Sequence, residues 1–230
     1  PTVASRTTMV VGKLVENAVQ GVKQILIGSG MLHEPYTPEQ FREACAKYVA
    51  TVGPLKATSQ YTPPGGLVWD DKNYRGDAYG AYAWAVYVAT VAVDTVTYEA
   101  RVEDFVAVQE VGRVIHPVMA AGQIEGGVAQ GIGFALYEDV VWKNGRMANC
   151  QFTNYIVPTS ADIPPIRVFF AEEPYAHGPS GAKGIGELPM DGPAPAIVNA
   201  IEDALGGTHP ALDHVPLMPE RLMRAMRRSA

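Results

Sequence analysis

The chain has 230 residues, a formal net charge of −6 at pH 7 and 47% hydrophobic residues. This length suits one large domain or two small ones, and the apolar fraction is sufficient for a buried core. The acidic balance, with basic residues clustered only near the end of the chain, argues against a nucleic-acid partner. We also expect no membrane span and no signal peptide.

Two cysteines, Cys45 and Cys150, are too few for a disulfide framework and lack the spacing of a zinc or iron-sulfur site. A reducing, cytoplasmic location is therefore expected. The spacing of His209 and His214 gives only a weak metal signal, and an ordinary place in a loop is the favoured interpretation.

The first predicted element is a helix that ends near Gly28. Its apolar residues recur with the helical period at Val11, Leu14, Val15, Ala18, Val22, Ile25 and Leu26. Ser5, Thr7 and Thr8 precede this face, and their hydroxyls can cap the helix. Hydroxyls and free amides at such an end can also bind an anion. From the residues alone, capping is the favoured role.

A capping box marks the start of a second helix. Thr37 is followed by Pro38 at the first helical position and by Gln40. The apolar residues carry this helix to about Ala50. The next stretch, 53–76, is polar and rich in glycine and proline, which predicts a long loop.

Two long paired strands are predicted from the residues that follow. Valine and aromatic residues dominate 81–93 and 98–108, with a short turn between them. Further along, the Asn144-Gly145 pair predicts a tight hairpin. Residues 166–170 predict one more strand.

A glycine-rich helix is predicted between these β regions, at residues 121–139. Its apolar residues keep helical spacing, and Gln123 and Gln130 lie near one face. Each helical glycine costs about 1 kcal/mol relative to alanine. The glycines concerned are Gly126, Gly127, Gly131 and Gly133. Either another element packs against them or a ligand lies on the backbone there.

The segment 178–195 is so rich in glycine and proline that it predicts a loop. It contains Lys183 and Glu187, and a stiff loop can hold a carboxylate rigidly in a cavity. Glu187 is therefore a candidate catalytic group, although such loops are more often only turns. The spacing fits neither a phosphate-binding loop nor a dinucleotide fingerprint. A helix is predicted at 194–205, ending at Gly206.

Three segments in sequence order resemble one enzyme family. They are ASRTT at 4–8, GQIEGGVAQGIGFALYED at 122–139 and GAKGIGE at 181–187. Together with the strand pair between the first two, they resemble the C-terminal half of the molybdenum-binding subunit of the xanthine dehydrogenase and aldehyde oxidoreductase family. The resemblance covers nearly the whole chain.

The resemblance implies a molybdenum-pterin cofactor, either molybdopterin or its cytosine dinucleotide form, without a protein ligand to the metal. A glutamate at the position of Glu187 is the general base of that family. It takes the proton from a hydroxyl on the metal, whose oxygen attacks an electron-poor carbon of an aldehyde or N-heteroaromatic substrate. We expect a closed apolar site around this carboxylate.

Other cofactor contacts are implied in the same way. Gln123 resembles the glutamine that hydrogen-bonds an oxygen ligand of the metal. Ala4, Ser5 and Thr7 resemble the segment that binds the pterin or its phosphate through backbone and hydroxyl groups.

The third segment assigns Gly184 and Gly186 to cofactor binding. Lys183 matches a family lysine, and whether it contacts the cofactor or only supports the structure stays open. Two departures are visible: His116 precedes Pro117 where the family has asparagine, and GELP replaces the commoner GEPP.

The resemblance also implies partners. The family subunit has an N-terminal half that completes the pterin site and most of the substrate pocket, so this chain is expected to be a fragment or split subunit that is inactive alone. Electrons are expected to pass to a 2Fe–2S iron-sulfur subunit and then to an FAD subunit. An alternative is a non-catalytic relative or an assembly module without turnover, which retention of Glu187 and Gln123 disfavours. A free-standing nucleotide-binding domain is disfavoured by the failed fingerprints.

The predicted fold class is α+β, with amphipathic helices packed on a mixed or antiparallel sheet. Residues 1–230 are expected to form the C-terminal half of a molybdopterin-binding domain of this type. Its expected parts are a helical segment at 1–50, a loop at 51–77, strands with the glycine-rich helix at 78–176, and the glutamate loop with C-terminal helices at 177–230.

Overall fold

The computed structural model describes residues 5–207 and 212–228. The predictions for Ala4 and His209 fall outside the described residues. The chain forms two compact units. One unit contains Pro1–Tyr82 and Pro174–Gly184, and the other contains Ala83–Glu173 and Ile185–Ala230.

The first unit begins with a π-helical turn, Thr7–Val11, that continues into α1, Gly12–Gly28. The predicted end of this helix is confirmed. Among the residues from Ser5 onward, which the structure describes, no side-chain hydrogen bond caps its first turn, so the capping role predicted for Ser5, Thr7 and Thr8 is wrong. Ser5 has a φ of 62°, whereas a capping residue takes an extended conformation.

The second helix, α2, spans Pro38–Thr51 and begins with the predicted capping box. The Thr37 hydroxyl accepts a hydrogen bond from the Gln40 amide, and the Gln40 side chain accepts one from the Thr37 amide at 2.8 Å. Together with α1 it encloses a small apolar cluster of Leu26, Leu32 and Ala44. The following loop is confirmed, except that it contains a short hairpin of β1, Trp69–Asp70, and β2, Arg75–Gly76. Two-residue strands are too short to leave a periodic signal.

The second unit is built on the predicted strand pair. The strands are β3, Trp84–Val93, and β4, Ala100–Glu110, and they pair antiparallel. In the turn between them, the Asp94 carboxylate accepts hydrogen bonds from the amides of Val96 and Thr97 at 2.7 and 2.9 Å.

The glycine-rich helix, α3, spans Pro117–Leu136, so it both starts and ends earlier than the predicted 121–139. His116 explains the earlier start, because its Nδ1 accepts a hydrogen bond from the Met119 amide at 3.3 Å. This is the role that asparagine commonly plays at a helix start.

After α3 the chain forms the predicted hairpin, with β5 at Trp142–Lys143 and β6 at Arg146–Met147. Asn144 and Gly145 take φ values of 51° and 74°, as a type I′ turn requires. The last strand, β7, Ile166–Phe170, pairs parallel to β4, so the sheet order is β3-β4-β7. The sheet is therefore mixed and the predicted α+β class is confirmed.

Three helices complete the second unit: α4, Leu188–Asp191, α5, Pro193–Ala204, and α6, Pro219–Arg228. The prediction that 178–195 is entirely loop is wrong, because it contains a 3-10 turn at Pro179–Gly181 as well as α4. Proline at the first helical positions starts these short turns, since its φ is already helical. No helix in the described parts of the chain is long and apolar enough to cross a membrane.

The core of the second unit lies between one face of the sheet and the helices. Its fully buried members include Phe105, Ile124, Val128, Ile132, Ile197, Ile201 and Leu222. The helix α3 contributes the largest share of this set, and α5 and α6 pack around it. The sheet and α3 thereby fix the segment that follows Ile185.

Candidate functional site

Glu187 occupies the position before the first residue of α4. Its side chain is exposed and makes no capping hydrogen bond to that helix. The described residues around it therefore do not form the closed apolar surroundings that we expected. The carboxylate is presented at the surface of the second unit, where it is available to a ligand.

Gln123 lies close to the backbone beside this carboxylate. Its Nε2 donates a hydrogen bond to the carbonyl oxygen of Gly186 at 3.4 Å. The structure thus brings together Gln123, Gly186 and Glu187. The amide of Gln123 is exposed and keeps its oxygen and a second N–H for other partners.

Two of the α3 glycines are explained by packing. A Cβ on Gly127 would lie 2.5 Å from Cβ of Pro189, and one on Gly131 would lie 2.6 Å from Cβ of Pro193. Pro189 is the second residue of α4 and Pro193 is the first residue of α5, so the glycines let both helix starts approach the backbone of α3 closely. Of the two explanations, packing and ligand contact, packing applies at these positions.

Two other glycines on α3 have open space. Gly122 and Gly126 are exposed, and a Cβ at either would meet nothing within 4 Å. Both are neighbours of Gln123 on the helix surface. Gly122 directly precedes Gln123 in the chain, and Gly126 follows it by three residues, which is close to one helical turn. A patch of bare backbone therefore lies beside the amide that reaches Gly186.

Tyr87 on β3 contacts the start of α4, and the sequence did not predict this contact. Its hydroxyl donates a hydrogen bond to the carbonyl oxygen of Leu188 at 2.5 Å. Its ring lies where a side chain at Gly192 would be, since a Cβ there would approach the ring to 2.1 Å. Burial, with a smaller contribution from the Asp191 carboxylate, raises the pKa of the Tyr87 phenol, so it stays a donor at neutral pH.

The remaining predicted residues belong to the first unit. Thr7 is exposed and Ser5 is half-buried, both at the uncapped helix start. Lys183 donates a hydrogen bond from Nζ to the carbonyl oxygen of Tyr82 at 3.0 Å, which is a structural contact. Gly184 directly follows it and is the last residue of that unit.

Metal-binding side chains are not grouped in the described residues, where no cluster of three or more His, Cys, Asp or Glu side chains could hold an ion. His214 pairs with Asp213 at 2.5 Å.

Comparison with known proteins identifies the family. Residues 1–164 match the family described as the molybdopterin cofactor-binding domain. The chain is 28% identical over 97% of its length to the nicotine 6-hydroxylase large subunit of Paenarthrobacter nicotinovorans. It is 32% identical over 76% of its length to the aldehyde oxidoreductase of Megalodesulfovibrio gigas. It spans only 29% and 19% of these two relatives.

Solved structures agree. The aldehyde oxidoreductase from Desulfovibrio desulfuricans matches 96% of this chain with a TM-score of 0.74 and 29% identity, although only 23% of that chain is covered. The Cu,Mo-CO dehydrogenase in its carbon monoxide reduced state matches 97% of this chain and 30% of its own with a TM-score of 0.79. At 23% identity, this second likeness concerns the fold.

The family match places this mixed-sheet fold in the class of cofactor-binding domains. The chain belongs to the molybdopterin cofactor-binding domain family, in the group that contains large subunits of xanthine dehydrogenases, aldehyde oxidoreductases and carbon monoxide dehydrogenases. The resemblance carried by the three sequence segments is confirmed, and the relatives include an aldehyde oxidoreductase and subunits of xanthine dehydrogenases.

The exposed part of the site fits such a cofactor. A pterin is flat and carries hydrogen-bonding edges, and the bare backbone at Gly122 and Gly126 admits a flat group that a Cβ would obstruct. The Gln123 side-chain amide can form hydrogen bonds with the polar edge of the pterin. The residues that are present therefore suit molybdopterin.

Proposed function

We propose that this chain supplies the general base and part of the cofactor site of a molybdenum hydroxylase. The observation that carries this proposal is the arrangement of Glu187: an exposed carboxylate directly after the residue that Gln123 holds from the glycine-lined face of α3. The substrate is a small molecule with an electron-poor carbon, either an aldehyde or an N-heteroaromatic compound. Relatives named for nicotine hydroxylation and aldehyde oxidation support that class.

The cofactor would be molybdopterin or its cytosine dinucleotide form, and when bound it would supply the two-electron oxidation and the activation of water. Glu187 then accepts, at a carboxylate oxygen, the proton released as water-derived oxygen is added to the substrate. Gln123 holds the cofactor edge with its free amide groups. Ser5 and Thr7 contribute hydroxyls toward the pterin or its phosphate.

Gly184 and Gly186 contribute backbone to cofactor binding. Neither carries a side chain that would keep a ligand from the main chain, and Gly186 already accepts the bond from Gln123. Ala4 belongs to the same proposal on its sequence match alone. Lys183 is assigned a structural role, supported by its bond to Tyr82.

The partners of this proposal begin with the remainder of the molybdenum subunit, corresponding to the part of the relatives that this chain does not cover. A surface for it is available on the second unit. The outer sheet face, which we define as Trp84, Val86, Val88, Val108 and Phe169, is apolar and exposed by 69, 63, 56, 36 and 52%. An apolar face of this kind marks an interaction site. Electrons would then pass to a 2Fe–2S subunit and an FAD subunit.

Replacing Glu187 by glutamine in the assembled enzyme tests the proposal. Glutamine keeps the shape but accepts no proton, so turnover should fall at least about 100-fold, the lower end of a general base's contribution. Molybdenum content, measured by plasma mass spectrometry, should not change. Glu43→Gln, at an exposed position on α2, is the matched control and should keep full turnover.

Two results would contradict this function. Full turnover in Glu187→Gln would remove the base assignment. A purified wild-type complex without molybdenum would instead favour a non-catalytic relative or an assembly module.

A further inference from the structure

The helix that carries Glu187 at its start cannot hold its own position. It has four residues, whereas isolated helices need roughly 12 or more to be even marginally stable in water. The carboxylate is exposed and has no capping bond of its own. Its place is therefore set by contacts to the backbone on either side of it.

Those contacts come from two directions. On one side, Gln123 of α3 donates to the Gly186 carbonyl at 3.4 Å, a long bond from an exposed side chain. On the other, Tyr87 of β3 donates to the Leu188 carbonyl at 2.5 Å. The tyrosine contact is shorter and is better shielded from water, so it restrains the residue after Glu187 more strongly.

Tyr87 is itself fixed in place. It lies in the middle of β3, where it pairs with Ala107 of β4. Its ring packs against Phe105, with centroids 6.1 Å apart, and covers Gly192 at the end of α4. Tyr87 is thus held by the paired strands, and its side chain contacts α4 at both ends.

Behind Tyr87 is a buried amide that nothing in the proposed mechanism uses. Gln109 on β4 is 0% exposed, and its Nε2 has no hydrogen-bond partner in the described part of the chain. Its Oε1 lies 3.5 Å from the Tyr87 hydroxyl, whose one proton is already directed at Leu188. If the side-chain amide of Gln109 is rotated by 180°, its Nε2 takes the place of Oε1 and donates to the Tyr87 hydroxyl oxygen. The Tyr87 hydroxyl still donates its own proton to the Leu188 carbonyl oxygen. That arrangement satisfies one more buried group.

We infer that Tyr87 is a positioning residue for Glu187, with Gln109 supporting it through a relay of hydrogen bonds from Gln109 to Tyr87 to the Leu188 carbonyl. This inference rests on the proposed role of Glu187 as base. Tyr87 touches neither cofactor nor substrate in it. The relay fixes the direction in which the Glu187 carboxylate is presented, and proton transfer depends on that direction because small misplacements of a reacting group are costly.

Tyr87→Phe in the assembled enzyme tests the inference, with Tyr137→Phe as the matched control. Tyr137 is another half-buried tyrosine packed on the core of the same unit. In Tyr87→Phe we expect kcat to fall about 10- to 100-fold, with KM within about 2-fold and molybdenum content unchanged. Gln109→Met, which keeps the volume but removes the amide, should lower kcat in the same direction by less. Tyr137→Phe should leave kcat unchanged.

A second readout does not depend on turnover. Hydrogen exchange followed by mass spectrometry should show faster exchange in peptides covering 186–192 of Tyr87→Phe, where the Met190 amide bonds the Glu187 carbonyl at 2.9 Å. Peptides covering 197–204 in α5 should not change. Unchanged kcat, or faster exchange across the whole unit, would overturn the inference.

The two proposals fail differently. If Glu187→Gln keeps full turnover, the base assignment fails, whatever Tyr87 does. If Glu187→Gln is inactive while Tyr87→Phe is fully active with unaltered exchange at 186–192, the base stands and the positioning role is wrong.

Discussion

Adjacent glycines on α3 have opposite surroundings, although both look alike in the sequence. Gly126 faces open space, whereas a Cβ on Gly127 would lie only 2.5 Å from the Cβ of Pro189. Gly126 is accessible to a ligand, whereas the lack of a side chain at Gly127 lets α4 approach α3. The sequence therefore shows that this helix contains unusually many glycines. Only the packing in the structure shows why a glycine is needed at a given position.

This contrast gives a paired stability prediction. Gly126→Ala should raise the free energy of unfolding by up to about 1 kcal/mol, because alanine has the higher helix propensity and meets nothing. Gly127→Ala should lower it by about 1–3 kcal/mol, the typical cost of overpacking. Urea unfolding followed by circular dichroism measures both. Equal shifts in the two variants would contradict the packing that the structure shows.

The site residues show how far single residues can be predicted. Motifs identify Glu187 and Gln123, and the structure places them on adjoining segments, although their roles stay predictions. Tyr87 could not be found, because its partner Leu188 is 101 positions away and an aromatic residue in a strand is usually part of the core. The exposure of Glu187 was also not predictable, since it depends on which elements surround the loop.

At the scale of elements, local signals are the reliable ones. The capping box of α2 and the Asn144-Gly145 hairpin are encoded within four residues of sequence or fewer, and both are present. The predicted cap of α1 failed because Ser5 adopts a left-handed conformation that residue preference does not reveal. The short α4 was missed because its place depends on distant contacts with α3 and β3.

His116 gives an element-scale prediction. Its Nδ1 accepts from the Met119 amide at 3.3 Å and caps the helix that bears Gln123. His116→Ala should lower the free energy of unfolding by about 0.5–2 kcal/mol, the usual value of an N-cap. His116→Asn should retain or exceed the wild-type value, since asparagine is a preferred cap. Thermal unfolding measures both changes. A loss of stability in His116→Asn as large as that in His116→Ala would argue against capping.

The turn between β3 and β4 gives a pH prediction. Hydrogen bonds from the Thr97 and Val96 amides hold the pKa of the Asp94 carboxyl below its usual value of 3.8. The ionised form therefore stabilises the fold above that value, and this contribution is lost as the pH falls through the lower folded-state pKa.

Asp94→Ala should accordingly lower Tm at neutral pH, and the difference from wild type should shrink as the pH falls below 3.8. A Tm difference for Asp94→Ala that is constant with pH would show that the carboxylate does not act through its charge.

At the scale of the whole molecule, the outer sheet face is apolar and yet exposed to solvent, which the packing of the second unit does not explain. Register places Val86, Val108 and Phe169 side by side in one row across all three strands. The valine and aromatic content that predicted these strands did not indicate which face would be exposed, or that the exposed face would be apolar along this row. Burying it against the rest of the subunit would remove that row from water.

Val86→Lys tests the proposal that the outer sheet face docks against the remainder of the molybdenum subunit. Val86 is 63% exposed, so a lysine there is hydrated and the fold of this chain should be unaffected, with Tm unchanged. In the docked state the same ammonium would lose its water without gaining a partner, which is costly. Association with the separately produced remainder of the molybdenum subunit should weaken at least about 10-fold, or about 1.4 kcal/mol, by calorimetric titration.

Val96→Lys is the matched control, because Val96 is 84% exposed in the β3–β4 turn and lies outside the row. It adds the same charge to the same unit, so any general electrostatic effect on association appears in both variants. Weaker association in Val86→Lys alone assigns the contact to the outer sheet face. Equal affinity of both variants and wild type would mean that the remainder of the subunit docks elsewhere, and the apolar row would then need a different occupant.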